Sequence, residues 1–90
     1  MEFEYDPEKS KTNQNKHGIT FEAAQKLWQG LSVEFAAQQE YENRFARIGL
    51  LEGKLYTCIY TLREDRIRII SCRRSRKKEE VLYAKGIKET

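Results

Sequence analysis

Three runs between Glu42 and Cys72 carry the two-residue period of β-strands, and the turns between them are too short for anything but antiparallel pairing. Glu42–Leu51 holds Phe45 and Ile48, Lys54–Leu62 is rich in Tyr, Thr and Ile, and Arg66–Cys72 alternates Arg with Ile. Gly53 marks the first turn and Arg63-Glu64-Asp65 the second. Pairing Leu62 with Arg66 across a three-residue loop predicts one face made of Thr57, Ile59, Thr61, Ile67, Ile69 and Ser71. Tyr56, Tyr60, Arg66 and Arg68 then line the opposite face. A short strand over Leu31–Phe35 precedes the three, with Ala36–Tyr41 as an exposed loop. The expected fold is therefore α+β: an antiparallel sheet of about four strands, two N-terminal helices packed on one face, and a C-terminal helix. Ninety residues make this a single domain over 1–90 with a modest core and a shallow surface site.

The helices follow from their caps. Glu2-Phe3-Glu4-Tyr5 alternates as a short strand and stops at Asp6-Pro7, where Asp6 caps free amides and Pro7 takes the first helical position. From Lys9 to Lys16 no large apolar residue occurs, an odd composition for a core helix. His17-Gly18 ends it, Gly18 supplying the left-handed position. Thr20 caps a second helix in which Phe21, Ala24, Leu27, Trp28 and Leu31 recur at helical spacing, up to Gly30. A last helix begins near Ser75, docks Val81, Leu82 and Ala84, and ends at Gly86.

Charge is polarised along the chain. The fourteen residues Asp65–Lys78 hold seven Lys/Arg against one Asp, while the other seventy-six hold ten Lys/Arg against thirteen Asp/Glu. A basic cluster at the end of a strand, on a mildly acidic body, suits phosphate; a solvated helix start is the plainer alternative. Cys58 and Cys72 make no disulfide framework and read as small strand hydrophobes, placed diagonally across the hairpin. With one His and no zinc-type spacing, no metal site or other cofactor is expected. No apolar run approaches the ~20 residues of a membrane span, and the N-terminus lacks the pattern of a secretory signal, so the expected location is the cytoplasm.

Four motifs in order give a resemblance. Phe3-x-Tyr5-Asp6-Pro7-x-Lys9 with Asn13-x-x-Lys16-His17-Gly18-Ile19-x-Phe21-x-x-Ala24 resembles the opening of the BrnT family of type II toxins. Glu42-x-Arg44-Phe45-x-x-Ile48-Gly49, Arg66-Ile67-Arg68-Ile69-Ile70-Ser71-Cys72-Arg73-Arg74 and Glu79-x-x-x-Tyr83 are similar to its later segments, so that the resemblance spans residues 3 to 86. Gln14 and the basic run Arg76-Lys77-Lys78 depart from the usual pattern. The resemblance implies a RelE-like fold and a ribonuclease that halts translation. It also implies a BrnA-like antitoxin with a ribbon-helix-helix domain, a two-plus-two complex, and contact with operator DNA only through that antitoxin.

Metal-independent RNA cleavage needs a base, cations for the phosphorane charge and an acid. His17 is the only imidazole in the chain and the first candidate; a structural hydrogen bond at a helix end is its other reading. Lys16 and Arg73 are candidate catalytic cations, with Arg44 beside them. Glu42 and Glu79 can act as bases or orient an Arg, and Glu42 with Arg44 reads equally as a surface ion pair. Arg66, Arg68, Arg74, Arg76, Lys77 and Lys78 are expected to contact RNA, with Tyr60 and Tyr56 stacking bases. A basic nucleic-acid-binding or antitoxin-binding module without catalysis would explain the same cations.

Overall fold

The structure is a computed structural model and describes residues 2–37 and 43–89. Its elements are β1 (Glu2–Glu4), α1 (Pro7–His17), α2 (Phe21–Ala24), a 3-10 turn (Gln25–Trp28), β2 (Ser32–Ala37), β3 (Arg44–Leu51), β4 (Lys54–Arg63), β5 (Arg66–Arg74) and α3 (Lys77–Lys88). The α+β class holds, but the sheet has five strands in the order β1-β5-β4-β3-β2 rather than four. β2 to β5 form the antiparallel meander that short turns require, whereas β1 lies parallel to β5, so the sheet is mixed.

The β4–β5 hairpin corrects the expected register. Leu62 pairs with Ile67 and Arg63 with Arg66, which leaves a two-residue turn of Glu64 and Asp65, with Glu64 in the left-handed region at φ 54°. A slip of one residue exchanges the two faces. Tyr60 therefore joins Ile67 and Ile69 in the core, while Thr57, Ile59 and Thr61 share the other face with Arg66 and Arg68. Farther along, a bulge leaves Ile70 unpaired between Ile69 and Ser71. Alternation then restarts: Cys72 returns to the core face, Arg73 points to the opposite one, and Arg74 comes back. Cys58 lies directly opposite Cys72 rather than diagonal to it, and both are buried free thiols.

One face of the sheet is covered by α2 and the 3-10 turn. Phe21, Ala24 and Leu27 pack there on Cys58, Tyr60, Ile67, Ile69 and Cys72; each fully buried large side chain contributes about 1.5–3 kcal/mol. The second helix is only four residues long before it tightens into the 3-10 turn, which sets Trp28 edge-on against both Phe3 and Tyr60, at 5.0 and 4.9 Å. Leu31 falls outside this packing and is 63% exposed.

α3 lies on the other face, against β2 and β3. Gly86 does not end it. It sits inside the helix where a methyl group would lie 2.6 Å from Val33 Cγ1, so its lack of a side chain is what allows the close approach. Glu79, Tyr83, Gly86 and Ile87 form the sheet-facing stripe, and Val81 and Leu82, out of phase with it, stay 61% and 43% exposed. Among the described residues no helix is long and apolar enough to cross a membrane.

Candidate functional site

The polar first helix has a purpose that its composition hides. β1 pairs with β5 only as far as Arg68, which among the described residues leaves the edge of β5 beyond it without a strand. Asn13 takes the strand's place at Cys72: its Nδ2 donates to the Cys72 carbonyl at 2.8 Å, and its Oδ1 accepts from the Cys72 N–H at 3.2 Å. Nδ2 also donates to the Ile19 carbonyl at 2.8 Å, and Ser10 Oγ accepts from the Phe21 N–H at 2.9 Å. These two residues are the buried ones of α1.

The caps hold the helix as expected. Asp6 accepts from the Glu8 N–H at 2.9 Å, and Gly18, at φ 75°, donates from its N–H to the Gln14 carbonyl. One turn beyond Asn13, exposed Lys16 and His17 border a cleft of about 230 Å³ that they share with Ile70 and Ser71 of β5. The fold thus sets the one imidazole beside the strand that carries the basic run.

Arg73 and Arg74 are adjacent in sequence and differ in everything else. Arg73 makes a forked pair with Glu79, Nη1 to Oε1 at 2.7 Å and Nη2 to Oε2 at 2.8 Å, with side chains only 19% and 11% exposed. Oε1 of Glu79 also accepts from the Arg76 N–H at 2.7 Å and from the Thr57 hydroxyl at 3.1 Å. The Thr57 proton is used there, so Ser75 donates in the 2.9 Å bond between the two hydroxyls. The Arg73 hydrogen bond is the largest influence on Glu79, and it outweighs burial. With the Arg76 amide, the Arg73 charge and Thr57 it holds the carboxyl down at about 2. The bond to Glu79 likewise raises Arg73 above the usual arginine value. Arg74 has no such carboxylate among the described residues: its guanidinium stands 5.8 Å over the Tyr56 ring, and it is exposed.

The remaining candidates are not gathered at this end. Arg68, Thr61 and Arg44 share one cross-strand row, whereas Arg74, Tyr56 and Gly49 share another. Five residues of β4 separate the rows, roughly 17 Å. Arg66 lies 3.6 Å from Glu2 and 3.5 Å from Glu4, and Arg68 lies 3.6 Å from Glu4, so β1 offsets the charge of both. Tyr60 is 1% exposed between Trp28 and Phe45, with its hydroxyl on Glu34, and offers no face for stacking. That placement overturns the expected base-stacking role and follows from the register. Glu42 lies outside the described residues. Arg76, Lys77 and Lys78 stand exposed at the start of α3, the end of a helix where cations are disfavoured.

Sequence reasoning missed two features. Arg47, half-buried along the sheet, stacks on Trp28 at 5.0 Å and bonds Ser32 and Glu34, so it is tied to the packing around Trp28 rather than to the basic run. A second cavity, of about 320 Å³, lies between the end of α1, α2 and the β3–β4 turn, and its walls include Gln14, Gly18, Lys26, Glu52 and Tyr56. The signal for it is Glu52-Gly53 as a two-residue hairpin turn between β3 and β4, which sets Glu52 at the end of the hairpin that also carries Tyr56. Among the described residues no three His, Cys, Asp or Glu side chains converge as a metal site. A hydrogen bond with Cys72, and after it burial, push the Cys58 thiol well above its ordinary value, which leaves it a poor nucleophile.

A family model described as the ribonuclease toxin BrnT of type II toxin–antitoxin systems matches residues 5–79 of the chain. No curated protein matches it.

Proposed function

Because the chain belongs to the BrnT family of type II toxin–antitoxin ribonuclease toxins, we propose that it cleaves RNA at the junction of α1 with β5, without a metal ion, and thereby stops translation in the cytoplasm. A type II toxin has a protein antitoxin as its partner. In this reading that partner is a BrnA-like ribbon-helix-helix protein, which forms a two-plus-two complex with the toxin and carries it to operator DNA. The antiparallel β2–β5 meander under N-terminal helices supports a RelE-like assignment of the fold.

One observation carries the chemical reading: the Asn13 clamp fixes Lys16 and His17 alongside β5, where the exposed cations of residues 74–78 begin. His17 takes the proton of the 2′-hydroxyl, the resulting oxygen attacks the adjacent phosphorus, and the P–O5′ bond breaks to leave a 2′,3′-cyclic phosphate and a 5′-oxygen that is protonated by water. Charge that develops on the phosphorane meets Lys16 and Arg74. Three cations at the start of α3 work against the helix dipole, a local cost that a bound phosphate would offset. In this reading Arg73 is not the phosphate-binding cation expected of it, and Glu79 takes the second of its two expected roles, that of orienting an Arg. A carboxyl held at about 2 is a weak base, and its partner guanidinium is already forked onto it, so the pair positions the β5–α3 corner instead of meeting the substrate.

The test is RNA incubated with the purified chain in excess EDTA. Products ending in 2′,3′-cyclic phosphate are expected, and His17→Ala should lower the rate about 100-fold, within the usual range for a lost acid–base group. Intact RNA with the parent chain, or parent-like cutting by His17→Ala, contradicts the reading.

A further inference from the structure

The cavity of about 320 Å³ beside Gly18 is separate from the cleft that His17 borders, and the proton chemistry above makes no use of it. Its size is at the small end of ligand pockets, which run from about 300 to 1,000 Å³. Ile19, Leu51 and Tyr56 contribute apolar lining, and Lys26 and Glu52 add one cation and one carboxylate to the same lining. Among the described residues neither of these two charged groups has a hydrogen-bond or ion-pair partner. Arg74 stands 5.8 Å from the centre of the Tyr56 ring, a further cation next to one of the walls.

We propose that this cavity is a base subsite that takes a guanine of the RNA. A nucleobase is a flat apolar plate with a polar edge, which fits an aromatic wall with charged groups at its margin. The identity of the base follows from the edge. A carboxylate only accepts hydrogen bonds and can take two side by side; an ammonium only donates. Guanine presents two adjacent donors, N1–H and the 2-amino group, next to the O6 acceptor, which matches a cavity lined by both Glu52 and Lys26. Adenine and cytosine each place a ring-nitrogen acceptor beside their amino group, and uracil has one N–H between two carbonyls, so each would set a lone pair against the carboxylate. The role of the cavity as a substrate subsite rests on the ribonuclease reading; the binding of the base does not.

Glu52 offers a clean variant. It sits at φ 51° in the β3–β4 turn, a conformation that Asn adopts more readily, so Glu52→Asn removes the carboxylate's reach while easing the backbone. The experiment titrates the full ¹⁵N-labelled chain with each of the four nucleoside 5′-monophosphates, followed by NMR, and maps cleavage sites on a mixed-sequence RNA. Guanosine monophosphate should bind about tenfold more tightly than the other three, a difference of about 1.4 kcal/mol. It should shift the amides of Gly18, Ile19 and Tyr56. Glu52→Asn should erase the preference with an unchanged or higher melting temperature, and cut sites of the parent should be enriched in G at one fixed position.

Equal affinities, shifts elsewhere on the surface, or a preference that survives Glu52→Asn would overturn the subsite. Cleavage without G enrichment, together with equal affinities, would sink the subsite and leave the ribonuclease standing. Selective guanosine monophosphate binding by a chain that leaves RNA intact would sustain the base pocket and defeat the ribonuclease reading.

Discussion

At the end of β5 two arginines one residue apart belong to different worlds. Arg73, on the α3 face, is committed to Glu79 in a nearly enclosed fork; Arg74, on the α2 face, is exposed over the Tyr56 ring. A run of basic residues is therefore not one surface. Strand alternation sorts it, and the sorting decides which cations hold the fold and which stay available to a phosphate.

The contrast is broken most severely at Glu79. Glu79→Ala leaves a guanidinium with little access to water and no counter-ion, and should cost about 3 kcal/mol in urea unfolding. Arg74→Ala should stay within ~1 kcal/mol, because an exposed cation–π contact is worth no more than that. A similar loss for the two variants would erase the distinction. Acid gives a second approach to the same pair. The Glu79 carboxyl is held at about 2 against an ordinary 4.5, so its contribution is complete above pH ~4.5 and is lost as the pH falls toward 2. Glu79→Gln should flatten that limb of the stability curve, and a limb that persists unchanged must come from other carboxyls.

Asn13→Ala comes next in size. It deprives the Cys72 N–H and carbonyl of their partner, and the Ile19 carbonyl of one donor, for a loss of roughly 2 kcal/mol. Since the same side chain holds the end of α1, RNA cleavage should fall more than stability explains at temperatures where the variant remains folded. Arg66→Ala and Arg68→Ala should matter least. Their pairs with Glu2 and Glu4 are long and at the surface, so each change should stay within ~0.5 kcal/mol and shrink further in salt.

Much of this fold can be read from local chemistry. The limits of α1 follow from Asp6, Pro7 and Gly18, and the meander follows from short turns between alternating runs. What escapes is anything set by a single residue of register. The second hairpin turn has Glu64 in a left-handed conformation without the Asn or Gly that announces such turns, so a three-residue loop reads as well as a two-residue one. The slip carries Tyr60 from the expected RNA face into the core. Long-range polar contacts escape for another reason. Asn13 meets Cys72 across 59 residues, and no helical periodicity marks an amide that substitutes for a strand. The spacing Glu79-x-x-x-Tyr83 identifies a helix face, yet it cannot say that Glu79 is committed to Arg73 rather than to a substrate.

The central claim is that one face of the α1–β5 junction meets RNA while the other holds the structure together. The most direct measurement is an NMR map of the chain bound to a 2′-O-methyl RNA, which cannot be cut because the attacking hydroxyl is blocked. The account predicts the largest shifts at Lys16, His17, Gly18 and Arg74, with small ones at Arg66 and Arg68. Dominant shifts at Arg66 and Arg68, with Lys16 and His17 unmoved, would contradict it.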